Sequence, residues 1–286
     1  MSLSRIDAAF ARQRAAGRAV LIPYVTAGDP SLAATADIAD ALVRAGADII
    51  EIGVPFSDPM ADGPVIQRAS ERALAHGTSL SDVLATVARV RARHADIPIV
   101  LMGYANPLEA MGVEAFTDAA RDAGVDGVIV VDYPPEEAAT FAGLLRARGL
   151  APIFLIAPTT RPARIDRIAE LAAGYVYYVS LKGVTGAGHL DVDDVGRRID
   201  AIRAHVALPV GVGFGIRDAA SARAIAKHAD AVVIGSRIIE EIEGGAASEA
   251  APRAGAWLST IRRALDSPSA APLPSGETRV HRGDST

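Results

Sequence analysis

The chain has 286 residues, of which 50% are hydrophobic, 22% charged and only 5% aromatic, a size that suits one large α/β barrel or two small domains. Its net charge of −5 and pI near 5.7, with Arg and Asp/Glu interspersed, exclude a general affinity for nucleic acid or an anionic membrane. It has no Cys, which removes disulfides and thiol nucleophiles, and no apolar run long enough to span a bilayer or signal-peptide core, so a cytoplasmic protein is expected.

Residues 4–14 read as a helix, with Ile6, Ala9 and Phe10 on one face. Residues 19–26 form a first strand that stops at Ala27-Gly28-Asp29-Pro30, and Ser31 caps a helix running to about Ala45. The second strand opens the stretch 49–64, IIEIGVPFSDPMADGP. Period 2 puts Ile49, Glu51 and Gly53 on one face and Ile50, Ile52 and Val54 on the other. The stretch then breaks into turn chemistry at Pro55, Asp58-Pro59 and Asp62-Gly63-Pro64.

Helices at 78–94, 113–123, 135–148, 161–172, 192–206 and 217–227 then alternate with strands at 98–103, 125–131, 151–156, 175–180, 209–212 and 231–234. A last helical region, 236 to about 265, is interrupted around 244–255. Roughly eight βα units with short apolar strands predict a single (β/α)8 TIM barrel over residues 1–265, with an extra N-terminal helix. The rival doubly wound sheet carries G-x-G-x-x-G after its first strand, where this chain has AGDP. Residues 266–286 are rich in Pro, Ser and Gly without apolar period and predict a disordered tail.

Function in such barrels lies at the C-terminal ends of the strands. The polar residues there are Tyr24, Asp29, Glu51, Asp58, Asp62, Tyr104, Asn106, Asp132, Thr159, Thr160, Tyr177, Ser180 and Thr185. Glu51 stands out, because a carboxyl inside an apolar strand costs free energy unless it is paired or neutralised. It is either a structural carboxylate or an acid/base with a raised pKa. Asp62 is either a turn-former or a second, ionised carboxylate that divides the work with the first. Glycines cluster at Gly183/Gly186, Gly211/Gly213/Gly215 and Gly235 before Ser236, at the ends of strands six to eight, where backbone N–H groups can cradle a phosphate. The His residues are scattered and form no metal-binding motif, and no nucleophile elbow or strand lysine occurs. No metal site is expected.

The run EIGVPFSDPMADGP from Glu51 to Pro64, with PYVTAGDP, MGYAN, DYP, GVTG, GFGI and Gly235-Ser236 in the same order, resembles the tryptophan synthase α subunits over about residues 4–265. The resemblance implies cleavage of indole-3-glycerol phosphate to indole and glyceraldehyde 3-phosphate, with no cofactor in this subunit. Glu51 would then be the general acid/base, Asp62 the acceptor for the indole N–H, and Tyr177 would line the site. Tyr24, Met102, Ile129 and Leu155 would form the indole wall, and Gly186, Phe214, Gly215, Gly235 and Ser236 would hold the phosphate. The implied partner is a pyridoxal-phosphate β subunit in an α2β2 tetramer that receives indole by a tunnel. Asp58, Pro59, Asn106, Asp132 and Thr185 would serve loop closure and contact with β. Two residues depart from the family pattern as expected here: Tyr24 stands where Phe is usual, and Leu181 where Arg is common. A weakly active activator of β and another phosphate-binding barrel isomerase are the competing readings; the loop PFSDPMADGP argues against the isomerase.

Overall fold

The computed structural model describes residues 4–180, 192–213 and 215–267. Among them, parallel strands β1 (Val20–Thr26), β2 (Ile50–Gly53), β3 (Ile99–Gly103), β4 (Gly127–Val130), β5 (Ala151–Ile156), β6 (Val176–Val179), β7 (Val210–Gly213) and β8 (Ala231–Ile234) close into a barrel in chain order. The seam joins β1 to β8, with Val20 opposite Ala231 and Pro23 opposite Ile234. Helix α1 (Arg5–Ala15) precedes the barrel. The outer helices are α2 (Leu32–Arg44), α3 (Pro64–Ala75), α4 (Leu80–Arg93), α5 (Ala105–Met111), α6 (Val113–Ala123), α7 (Ala139–Ala147), α8 (Pro162–Leu171), α9 (Val192–Arg203), α10 (Ala219–Ala226), α11 (Ser236–Glu243) and α12 (Ala250–Asp266). No described helix is long and apolar enough to cross a membrane.

The strand alternation divides the core in two. Val20, Ile22, Ile49, Val100, Ile129, Ile153, Tyr175 and Val233 pack together inside the barrel with Ile6, Ala9 and Phe10 of α1. Leu21, Ile50, Ile52, Leu101, Val128, Val212 and Val232 face outward into the layer beneath the helices. The N-terminal helix is therefore a plug for one end of the barrel. Gly127 and Gly174 make room for it: a Cβ on either would lie 3.1 or 3.3 Å from the Ile6 side chain.

A device that the sequence reading passed over recurs at that end. Asp48, Asp126 and Asp230 each precede an even-numbered strand and accept an N–H from the first or second residue of the strand before it. The donors are Leu21 at 2.9 Å, Ile99 at 2.8 Å and Val210 at 2.9 Å. An arginine meets each carboxylate: Arg262 at 3.1 Å, Arg91 at 2.6 Å and Arg203 at 3.0 Å. This end is a stability face, which leaves the other free for chemistry.

The predicted cap Ser31 accepts from the first turn of α2, Ser4 proves to be the N-cap of α1 rather than its first residue, and Ser79 forms a capping box with Asp82. Helices α3 and α5 were not foreseen. α3 begins with Pro64 at its first turn, so the Asp-Gly-Pro run that reads as a loop is also a helix start. The break in the last helical region is shorter than expected. A 3-10 turn, Ala247–Glu249, leads straight into α12, and Gly255 lies inside that helix because a Cβ there would lie 3.2 Å from the Ala41 carbonyl. α12 runs through Asp266, the first residue assigned to the expected tail; residues 268–286 lie outside those described.

Candidate active site

β2 and β6 lie opposite each other in the eight-strand ring. From β2, Glu51 projects inward as the alternation requires. It sits deeper than the strand end where it was expected, with 0% exposure. Its Oε1 accepts a hydrogen bond of 2.5 Å from the Tyr175 hydroxyl across the barrel, and its Oε2 has no partner among the described residues. Burial raises its pKa to about 7, against the opposing pull of the Tyr175 hydrogen bond, which favours the carboxylate. Burial, then the Glu51 charge, pushes the Tyr175 phenol well above its ordinary value, so Tyr175 stays a donor.

Asp62 lies in the loop between β2 and α3, half-buried. It accepts from the Tyr104 hydroxyl at 2.9 Å, and that same hydroxyl accepts the Ala61 N–H at 3.0 Å. Phe56 stacks on the Tyr104 ring at 5.1 Å, and the Gln67 amide donates to the Asp62 carbonyl at 2.8 Å. The loop is thus tied both to the end of β3 and to the first turn of α3. Burial raises the Asp62 pKa, and the Tyr104 hydrogen bond works against that by favouring the carboxylate.

Glycines on neighbouring strands seat the tyrosines of the interior. A Cβ on Gly53 would lie 2.0 Å from the Tyr24 hydroxyl, and one on Gly213 would lie 1.8 Å from the Tyr177 hydroxyl. Gly213, which reads in sequence as part of an anion loop, therefore has a second duty inside the sheet: it makes room for a ring. Tyr24 and Tyr177 are held protonated by burial, with the charges of Glu51 and Asp62 adding to the effect. Both carboxyls are thus within electrostatic reach of both rings. Met102, Leu155 and Tyr177 are half-buried at the edge of the interior cluster, and Ile129 is wholly buried within it.

Across the opening, β7 and β8 pair side by side. Gly215 is exposed with φ +76°, a conformation that other residues rarely adopt. Gly235 is the N-cap of α11 and offers no side-chain cap to the first-turn N–H groups of that helix, where Ser236 is exposed. Uncapped N–H groups at a helix start favour an anion. Gly186, Thr185, Leu181 and Phe214 lie outside the described residues.

On the rim, Asp58 is exposed and accepts from the Ser57 hydroxyl at 2.6 Å, with Pro59 beside it and Asn106 exposed on α5. Asp132 accepts the Ala105 N–H at 2.8 Å, joining the end of β4 to the start of α5. Sequence reasoning missed Tyr175 and gave Tyr104 no role. The signal for Tyr175 was its two-residue spacing from Tyr177, which puts both rings on the inward face. Among the described residues, no group of His, Cys, Asp and Glu could hold a metal ion.

The model of the family described as tryptophan synthase alpha chain matches residues 10–260. The tryptophan synthase alpha chain of Bordetella bronchiseptica is 62% identical over 271 residues, covering 92% of this chain and 95% of its own. That of Laribacter hongkongensis is 61% identical over 264 residues, covering 92% and 100%. The crystal structure of tryptophan synthase subunit alpha from Legionella pneumophila superposes with a TM-score of 0.87 at 41% identity, over 93% of this chain and 99% of that one. A chain of tryptophan synthase from M. tuberculosis, in an aminoacrylate-bound form, gives 0.82 at 35%, over 92% and 100%. With a family model matched over most of its length and relatives above 60% identity, the chain belongs to the tryptophan synthase alpha chain family.

Proposed function

We propose that the chain cleaves indole-3-glycerol phosphate to indole and glyceraldehyde 3-phosphate, and that Glu51 and Asp62 divide the proton chemistry. The observation that carries this reading is Glu51 itself, a wholly buried carboxyl with a pKa of about 7 and one oxygen that has no partner among the described residues. Such a group is populated in both protonation states at neutral pH and can both give and take a proton. As an acid it protonates C3 of the indole. Asp62, kept toward its ionised form by Tyr104, accepts the ring N–H as positive charge develops there. Glu51 then takes the proton of the side-chain hydroxyl, the C–C bond breaks, and its electrons return to the ring. No proton is gained or lost by the pair over the cycle.

In this reading Tyr24, Met102, Ile129, Leu155 and Tyr177 shape the apolar slot. The phosphate rests on backbone N–H groups at Gly215, Gly235 and Ser236, together with Gly186 and Phe214. The loop bearing Asp58 and Pro59, with Thr185, Asn106 and Asp132, meets a β subunit that carries pyridoxal phosphate, in an α2β2 assembly in the cytoplasm. The test is indole release from indole-3-glycerol phosphate by the whole chain, with and without a β subunit. Release that β accelerates supports the reading. Absence of release in both arms would remove it, and release only with β would favour the activator reading.

A further inference from the structure

The wall that carries Glu51 also carries two hydroxyls that the chemistry above does not use. The alternation that turns Val20 and Ile22 into the barrel turns Tyr24 and Thr26 the same way. Tyr24 is 6% exposed and Thr26 is 1% exposed. Their oxygens are 3.4 Å apart, with either able to donate. That is longer than the roughly 2.5–3.0 Å of a well-made O–H···O bond, and among the described residues Thr26 Oγ1 has no partner other than Tyr24. Two buried hydroxyls sharing one long bond leave a donor and several lone pairs under-used. The Tyr24 hydroxyl lies over Gly53, two residues along the same inward face from Glu51, and Tyr24 is the register partner of Glu51 itself.

We propose that Tyr24 and Thr26 form a polar subsite in the wall of the indole slot that recognises a neutral hydroxyl on the benzo ring, so that hydroxylated indoles and their glycerol phosphates are substrates. This rests on the reading of the site as an indole slot. A ring hydroxyl set against the pair replaces one long bond by two of ordinary length, giving to one oxygen and receiving from the other. A hydroxyl suits the pair because it both donates and accepts; a methyl group of the same size would leave both oxygens short of partners. An anionic substituent is disfavoured, because the Glu51 and Asp62 carboxyls act on the same wall.

The experiment runs the reaction in reverse with the whole chain, condensing glyceraldehyde 3-phosphate with indole, with indoles hydroxylated at each benzo-ring carbon in turn, and with the methyl analogue of each. The readout is the hydroxyl-to-methyl ratio of kcat/KM, for the natural chain and for Tyr24→Phe and Thr26→Val. The natural chain should favour hydroxyl over methyl at one ring position, and each variant should cut that ratio by about three- to tenfold. Both substitutions keep the shape of the side chain, and the ratio is internal to each protein, so a general loss of activity cannot imitate the effect. Consumption of plain indole with the same ratio in all three proteins would overturn the subsite and leave the indole slot standing. Failure of the natural chain to consume plain indole would overturn the slot, and the subsite with it.

Discussion

Tyr175 and Glu51 stand on opposite walls of the barrel, yet their oxygens meet at 2.5 Å in its centre. The contact holds one carboxylate oxygen and leaves the other without a partner among the described residues. Because Tyr175 can only donate here, it favours the charged form of Glu51 and sets how far burial can push the carboxyl upward.

Tyr175→Phe should therefore raise the Glu51 pKa further, by about one unit if the lost bond is a typical one to a charged group. The pH dependence of kcat for indole release should show the limb near pH 7 moving toward higher pH. A limb that stays in place would separate Tyr175 from the catalytic carboxyl.

Glu51→Gln should cost roughly two to four decades of turnover while substrate still binds. Its stability should also differ in a pH-dependent way. The carboxyl has its ordinary value of 4.5 in the unfolded chain and about 7 in the folded one. Its contribution to folding is fully present below pH 4.5 and is lost as the pH rises through about 7. The glutamine chain, which has no such loss, should gain on the natural one across this window by up to about 3 kcal/mol. Urea unfolding at several pH values measures it.

Tyr104→Phe should remove the donor to Asp62 and the acceptor of the Ala61 N–H together. With the carboxylate less favoured and its loop released, kcat/KM should fall by about ten- to a hundredfold. An unaltered value would mean that Asp62 is not held for its task by β3.

Arg72→Met should be among the more damaging changes outside the slot. Arg72 binds Asp29 through two 2.8 Å hydrogen bonds and reaches Glu243 at 3.1 Å, while Asp29 is 1% exposed. Removing the guanidinium leaves a buried carboxylate unpaired, at a cost of about 3–5 kcal/mol. Thermal unfolding should show it, and loss of less than about 1 kcal/mol would contradict the argument.

Two glycine substitutions should move stability in opposite directions. Gly53→Ala drives a methyl group to 2.0 Å from the Tyr24 hydroxyl and should cost about 1–3 kcal/mol. Gly143→Ala, exposed in the middle of α7 with nothing within 4 Å of the new Cβ, should add about 0.5–1 kcal/mol. Denaturant midpoints compare the pair directly.

Much of this was legible in the chain before it folds. Hydrophobic spacing alone announced alternating strands and helices, and period 2 separated Ile49 and Glu51 from Ile50 and Ile52, as the two cores confirm. Both patterns are properties of neighbouring residues, and local geometry enforces them wherever the strand ends up. What spacing could not supply was partnership at long range. The Tyr175 bond to Glu51 spans 124 residues, and the Tyr104 bond to Asp62 spans 42. Closing the ring decided which tyrosine met the acid, how deep the acid lay, and which glycines were seats for rings as well as turns. Those outcomes depend on which strands face each other across the barrel, and only the closed sheet brings such distant residues within reach of a hydrogen bond.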